Sequence, residues 1–198
     1  TAYAIYSMIL MIATYSIPTA VSKIISGKLA LGEYRNARRV FKCAFIYVVS
    51  VGLVAAVLTF AFAPALVKEQ PNAILSLQIL APTIFLSGFL AIYRGYLQAY
   101  KTMIPTSISQ IIEQIANAVV SVLAAYLMSR PFVPGTSEHA KYGAAGSAMG
   151  TGAGVLCGII YILIAYAGRR KEIMETVESD VSSNVESYGK LFRQIVMI

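Results

Sequence analysis

Residues 43–67 read CAFIYVVSVGLVAAVLTFAFAPALV, an uncharged stretch closed by Lys42 on one side and Lys68 on the other. A helix needs about 20 apolar residues to cross the hydrocarbon core of a bilayer, and this stretch is long enough. Four more such runs lie around it, at 1–22, 71–93, 103–129 and 142–168, and only 103–129 holds a charge, Glu113. The connections between them divide the basic residues by side. Thirteen of the sixteen follow the first, third and fifth runs: Lys23, Lys28, Arg35, Arg38, Arg39 and Lys42; Arg94 and Lys101; Arg169, Arg170, Lys171, Lys190 and Arg193. The second and fourth runs are followed only by Lys68, Arg130 and Lys141. By the positive-inside rule the first, third and fifth connections are cytoplasmic, so the first helix runs from outside to inside.

A mean hydropathy of +0.69, with 58% apolar and 13% charged residues, excludes an ordinary soluble domain. The net charge of +7 would suggest nucleic acid in a soluble chain. Here the basic residues flank apolar runs, so topology and anionic headgroups explain them and no nucleic-acid partner is expected. Cys43 and Cys157 lie in apolar runs without metal-ligand spacing and read as small core residues.

The predicted fold is all-α, a polytopic transmembrane bundle over 1–167 with helices near 1–25, 41–67, 73–98, 105–129 and 143–167. A cytoplasmic linker is expected over 168–190, and 191–198 reads as the start of a further transmembrane helix. Both ends of the chain fall inside apolar patterns, which suggests a piece of a larger protein. Residues 27–42 mix Leu29, Leu31, Tyr34, Ala37 and Phe41 with basic residues, as in a segment in the headgroup layer interrupted at Gly32. Pro82 favours a kink in the third run, and Pro105 suits the first turn of the fourth. A long outer loop is expected over 132–141.

The fifth run is the most patterned. Gly146, Gly150, Gly154 and Gly158 recur every four residues among alanines. Small residues at that spacing let another helix backbone approach closely, and close packing is the plainer reading beside a sliding or hinge surface.

Two polar stripes carry the functional argument. In the fourth run Gln110, Glu113, Gln114, Asn117 and Ser121 fall at helical steps and share a face. In the third, Thr83, Ser87, Arg94 and Gln98 do the same. An ionisable group at the bilayer centre costs at least about 2.5–3.5 kcal/mol, so such a stripe faces the bundle interior or a water-filled cavity. Residues 94 and 113 are equally far from the midpoint of the turn between the two runs, roughly 10–15 Å up at 1.5 Å per residue. Arg94 and Glu113 are therefore expected at one depth, either as a structural ion pair or as part of a polar cavity that meets cargo.

Lys23 either attracts an anionic headgroup or cargo phosphate, or snorkels to the interface. Tyr3, Ser7 and Thr14 make a weaker polar face on the same run, and the single histidine, His139, falls in the outer loop. One histidine, and one aspartate confined to the linker, leave no catalytic or metal constellation, so neither enzyme activity nor a cofactor is expected.

The segment Ile17-Pro18-Thr19-Ala20-Val21-Ser22-Lys23, continuing through Ala30-Leu31-Gly32-Glu33-Tyr34-Arg35-Asn36-Ala37-Arg38-Arg39-Val40-Phe41, resembles the polysaccharide-biosynthesis and stage V sporulation protein B family. Arg94-Gly95-Tyr96-Leu97-Gln98 and the run from Pro105 to Gln114 strengthen the match. That family belongs to the multidrug, oligosaccharidyl-lipid and polysaccharide exporter superfamily, built from two pseudo-symmetric helical lobes. The resemblance implies part of an N-terminal lobe, from helix two to the start of helix seven, in a bacterial plasma membrane. It further implies alternating access against a C-terminal lobe, with a polyprenyl-diphosphate-linked sugar such as lipid II as cargo. On that reading Lys23, Arg94, Gln98, Gln110, Glu113, Gln114 and Asn117 would bind cargo. The cavity arginines known on the first helices of lipid II flippases have no counterpart ahead of Lys23. A cation-coupled drug exporter and a non-transporting scaffold for envelope or spore assembly are the alternatives, and the scaffold would leave no cavity between the stripes.

Overall fold

The computed structural model describes residues 17–68, 70–180 and 186–196. Among the described residues six α-helices follow one another: α1 (Ile17–Ala30), α2 (Tyr34–Leu66), α3 (Ile74–Ala99), α4 (Ile104–Ser129), α5 (Ser137–Glu178) and α6 (Tyr188–Val196), with a 3-10 turn at Pro71–Ala73 before α3. Among the described residues there is no strand, and four helices, α2 to α5, are long and apolar enough to cross a membrane. The expected first helix over 1–25 and its polar face at Tyr3, Ser7 and Thr14 lie mostly outside the described residues.

The elbow between α1 and α2 is set by Gly32. Its φ of +73° is a left-handed conformation that costs glycine little, and it closes α1 as a C-terminal cap. Gly32 N–H donates to the Leu29 carbonyl at 3.1 Å and Glu33 N–H to that of Lys28 at 2.9 Å, so two end carbonyls find partners. The chain then re-enters a helix at once. Arg35, Arg38, Arg39 and Lys42 accordingly occupy the first turns of the 33-residue α2 rather than a separate segment lying in the headgroup layer.

Pro105 sits in the first turn of α4, and α3 continues through Pro82. Thr136 caps α5, its hydroxyl accepting from the backbone N–H of His139 at 3.3 Å, with Glu138 in the positive first turn. His139 is thus helical, and the outer connection is shorter than 132–141. At the other end α5 runs on to Glu178 instead of stopping near 167. Its 42 residues span roughly 63 Å, well beyond the ~30 Å core, so its last turns stand clear of the hydrocarbon. Ile173 and Val177, one turn apart, are buried and hold that extension against the bundle.

Helix α5 is the hub. It packs along α3 on one side and α4 on the other, while α2 and α1 lie against α3 and α6 rests on α2. Consecutive helices α3 and α4 touch little beyond the turn joining them. The outer faces of α2 (Val54, Val57, Phe60, Phe62) and α4 (Ile111, Ile115, Val122, Leu127) are exposed and apolar, as lipid-facing surfaces are. An aromatic cluster lies between α2, α3 and α5 at the end of the bundle that holds the α3–α4 turn. Phe41 lies 4.2 Å from Tyr96 and 5.5 Å from Tyr93, and Tyr93 lies 5.3 Å from Tyr166.

Candidate functional site: a buried ion pair at a three-helix junction

The two polar stripes meet at one level. Arg94, on α3, is 4% exposed. Its Nη2 donates to Glu113 Oε2 at 2.8 Å, and Nη2 and Nε both donate to Ser109 Oγ, at 2.7 and 3.2 Å. Ser109 Oγ in turn donates to the Gly158 carbonyl at 3.3 Å. One guanidinium thereby ties α3, α4 and α5 together. Gly158 lies directly beside the pair, and a Cβ there would stand at ordinary contact distance, 3.5 Å, from both Arg94 Nη2 and Ser109 Oγ. The equal depth inferred from the turn's midpoint is the observed depth, and the two charges are in contact.

Above this junction the stripes do not face one another. Helix α5 stands between them, and the small residues expected to admit a neighbouring backbone do so against α4. A Cβ on Gly154 would fall 2.6 Å from the Glu113 carbonyl oxygen and 3.0 Å from Asn117 Cβ. On Gly150 it would overlap the backbone and hydroxyl of Ser121, and on Gly146 it would come 2.7 Å from Ala125 N. Ser121 Oγ lies 2.9 Å from both Asn117 Oδ1 and the Ser147 carbonyl, so this hydroxyl links α4 to α5. Asn117 therefore belongs to the α4–α5 contact, with Ser121. On α3, only the Thr83 hydroxyl comes near Gly152, 3.3 Å from where a Cβ would stand.

The flank of α4 that remains open carries Gln110 and Gln114, both exposed, beside Glu113, whose side chain is 21% exposed. The junction is thus dry on the Arg94 side and open on the Glu113 side. Gln98, half-buried one turn nearer the α3–α4 connection, makes no hydrogen bond to this cluster. Lys23 is exposed on α1 and does not join it.

A second polar constellation was not foreseen from the sequence. Lys28 bridges Glu33 and Glu186, both at 3.0 Å, and Lys190 adds a 3.2 Å pair to Glu186. Asn36, fully buried, donates to Glu33 Oε2 at 2.9 Å and accepts from Glu186 N–H at 3.0 Å. Arg39 donates to the Glu186 carbonyl at 2.9 Å, and Asp180 accepts from the Arg35 N–H at 2.7 Å, capping α2 with a negative charge. This corner clamps the segment entering α6 onto the α1–α2 elbow. The available signal was a pair of acids within the supposed linker, Asp180 and Glu186, opposite the basic start of α2.

The clamp's charges set its pH range. Hydrogen bonds from Asn36 and Lys28 hold Glu33 below the ordinary 4.5, and the Lys28 ammonium does the same for Glu186. Burial alone would lower Lys28, but its contacts with the Glu186 and Glu33 carboxylates outweigh that and raise it above 10.5. The carboxylates' contribution is complete above pH 4.5 and is lost as pH falls through their lower folded values. That of Lys28 is complete below 10.5 and is lost only as pH rises through its raised value. Amide exchange over residues 186–191, corrected for intrinsic rates, should therefore be unchanged between about pH 6 and 8 and accelerate below about pH 4. Protection already lost at about pH 6 would contradict the assignment.

An all-α bundle of membrane-crossing helices with an ion pair inside it defines a multi-pass membrane protein. The family model described as "Polysaccharide biosynthesis protein" matches residues 1–192, and the chain belongs to that family. Among curated proteins it is similar to lipid II flippase MurJ of Bacillus subtilis (strain 168), 23% identical over 205 residues that cover 98% of this chain and 37% of that protein. It is also similar to stage V sporulation protein B of the same organism, 22% identical over 173 residues covering 83% of this chain and 32% of that one. The chain thus spans about a third of the length of these relatives. No solved structure matches it.

Proposed function

We propose that this chain forms part of one lobe of a flippase that carries lipid-linked sugar precursors of the cell envelope across the membrane. The observation that carries the reading is the Arg94–Glu113 pair, buried on one side and open on the other beside Gln110 and Gln114. An ion pair with an amide-lined open flank inside a membrane bundle suits a path for a polar headgroup. It also sits where α3, α4 and α5 converge, so a shift of any of the three would alter it. The names of the similar proteins, a lipid II flippase and a sporulation protein, support a cargo of this kind. Within the reading, Glu113, Gln110 and Gln114 meet the cargo headgroup, Arg94 positions the Glu113 carboxylate, and Asn117 keeps α4 on α5.

A structural role for the pair is the second reading, favoured by the burial of Arg94 and by the engagement of Asn117 and Ser121 in packing. Gln110→Leu and Gln114→Leu separate the two. Both side chains are exposed, so the variants should fold as the wild type does. Precursor translocation in cells expressing the full-length variants should fall severalfold at normal protein levels, and wild-type rates for both would remove the path from this flank.

A further inference from the structure

The cytoplasmic end of α2 carries a feature that the ion-pair junction does not use. Arg35, Arg38, Arg39 and Lys42 recur at steps of three and four and line one pocket of about 480 Å³, whose other walls are Val177 and Glu178 at the end of α5 and Tyr188 at the start of α6. Four cations face a single carboxylate. The nearby acids are engaged elsewhere, Asp180 on the Arg35 amide and Glu186 on Lys28 and Lys190. Arg39 is held in place by the Glu186 carbonyl and lies 4.9 Å over the Tyr188 ring. Among the described residues, the side chains of Arg35, Arg38 and Lys42 form no ion pair with any carboxylate. Four like charges along one helix face repel one another unless an anion sits among them.

We infer that this pocket binds an anion carrying two phosphate groups at the level of the inner headgroups. The row from Arg35 to Lys42 is roughly 10 Å long at 1.5 Å per residue, more than one phosphate occupies. Guanidinium groups recognise phosphate oxygens through paired hydrogen bonds, and a basic pocket between helices on the cytoplasmic side is suited to lipid headgroups. The clamp at Lys28, Glu33, Asn36 and Glu186 supports the site by fixing Arg39 and Tyr188. This assignment stands whether or not the chain moves cargo past Glu113. Two sources share the chemistry: a bis-phosphatidyl membrane lipid such as cardiolipin, and a polyprenyl diphosphate.

The test uses purified full-length protein in detergent, titrated with cardiolipin, a polyprenyl diphosphate or phosphatidylglycerol, with bound lipid counted by native mass spectrometry. Cardiolipin, the polyprenyl diphosphate or both should bind more tightly than the one-phosphate lipid, and whichever does identifies the source. Arg38→Gln/Lys42→Gln should lose that preference, with binding weakened on the order of tenfold. The charge-keeping Arg38→Lys/Lys42→Arg variant, which guards against a folding defect, should retain most of it. Equal binding of the one-phosphate lipid, or a preference that survives Arg38→Gln/Lys42→Gln, would overturn the inference.

Discussion

Replacing Gly150 with alanine is expected to destabilise the bundle, although alanine is the better helix former by about 1 kcal/mol. The sign is decided by what the new methyl would meet. At Gly150 it is the backbone and hydroxyl of Ser121 on α4, and backbone cannot move aside as a flexible side chain does. Ordinary overpacking costs about 1–3 kcal/mol, and backbone-to-backbone overlap belongs at or above the top of that range. Gly154 and Gly146 face the same constraint, against Glu113 and Ala124. Lipid supplies no hydrophobic drive to compensate, so a separated α4–α5 contact has little else to restore it. Two glycines of the same helix serve as controls. At Gly158 the nearest atom to a new methyl is the flexible Leu90 Cδ2, 3.2 Å away, and at Gly168 nothing lies within 4 Å. Thermal unfolding of the purified full-length variants should rank Gly150→Ala well below wild type, Gly158→Ala near it and Gly168→Ala at or slightly above it. Equal stability for Gly150→Ala and Gly168→Ala would contradict the close α4–α5 approach.

Removing either partner of the junction should also be costly, and unequally so. Breaking a buried pair by deleting one member costs about 3–5 kcal/mol, chiefly through the charge left behind. Arginine cannot shed its proton inside a protein, whereas a carboxylate can take one up. Glu113→Ala strands the Arg94 guanidinium, whose side chain is 5% exposed, with Ser109 as its remaining partner. Arg94→Ala leaves a glutamate whose side chain is 21% exposed on the open flank rather than sealed in the bundle. Glu113→Ala should therefore be the more destabilising, toward the upper part of that range, and Arg94→Ala toward or below its lower end. The double alanine variant should lose less than the two single losses combined, because each removes the charge the other would leave unpaired. Denaturant or thermal unfolding of the four proteins measures this cycle, and strictly additive losses would show that the pair is not coupled.

Much of this architecture is legible in the sequence because lipid imposes few solutions. Uncharged runs and sided basic residues specify helices and their directions, and counting residues from the turn places Arg94 level with Glu113. What counting along one hairpin could not show is the third body. The stripes alone leave open whether they border a cavity or pack on each other, and the backbone-to-backbone approach permitted by Gly146, Gly150 and Gly154 draws α5 in between, so only the residues nearest the turn meet. Asn117 was read as lining a path for the same reason, its polarity being visible while the glycine it faces was not. The extension of α5 and the clamp at Glu186 escaped notice because mixed charge resembles a solvated linker. The helix-forming run from Arg169 to Glu178, with Ile173 and Val177 one turn apart, was the overlooked sign.

We propose that the Arg94–Glu113 pair serves transport as well as holding three helices together. Exchanging the partners, Arg94→Glu with Glu113→Arg, separates these roles in one protein. The exchanged pair keeps opposite charges in contact, so its thermal stability should recover well above that of either single reversal, whereas the charge beside Gln110 and Gln114 changes sign. Precursor translocation by the full-length exchanged variant, compared with wild type at matched membrane levels, is the decisive measurement. A stable protein that translocates little or nothing is expected, and wild-type translocation by that variant would show that the pair is structural.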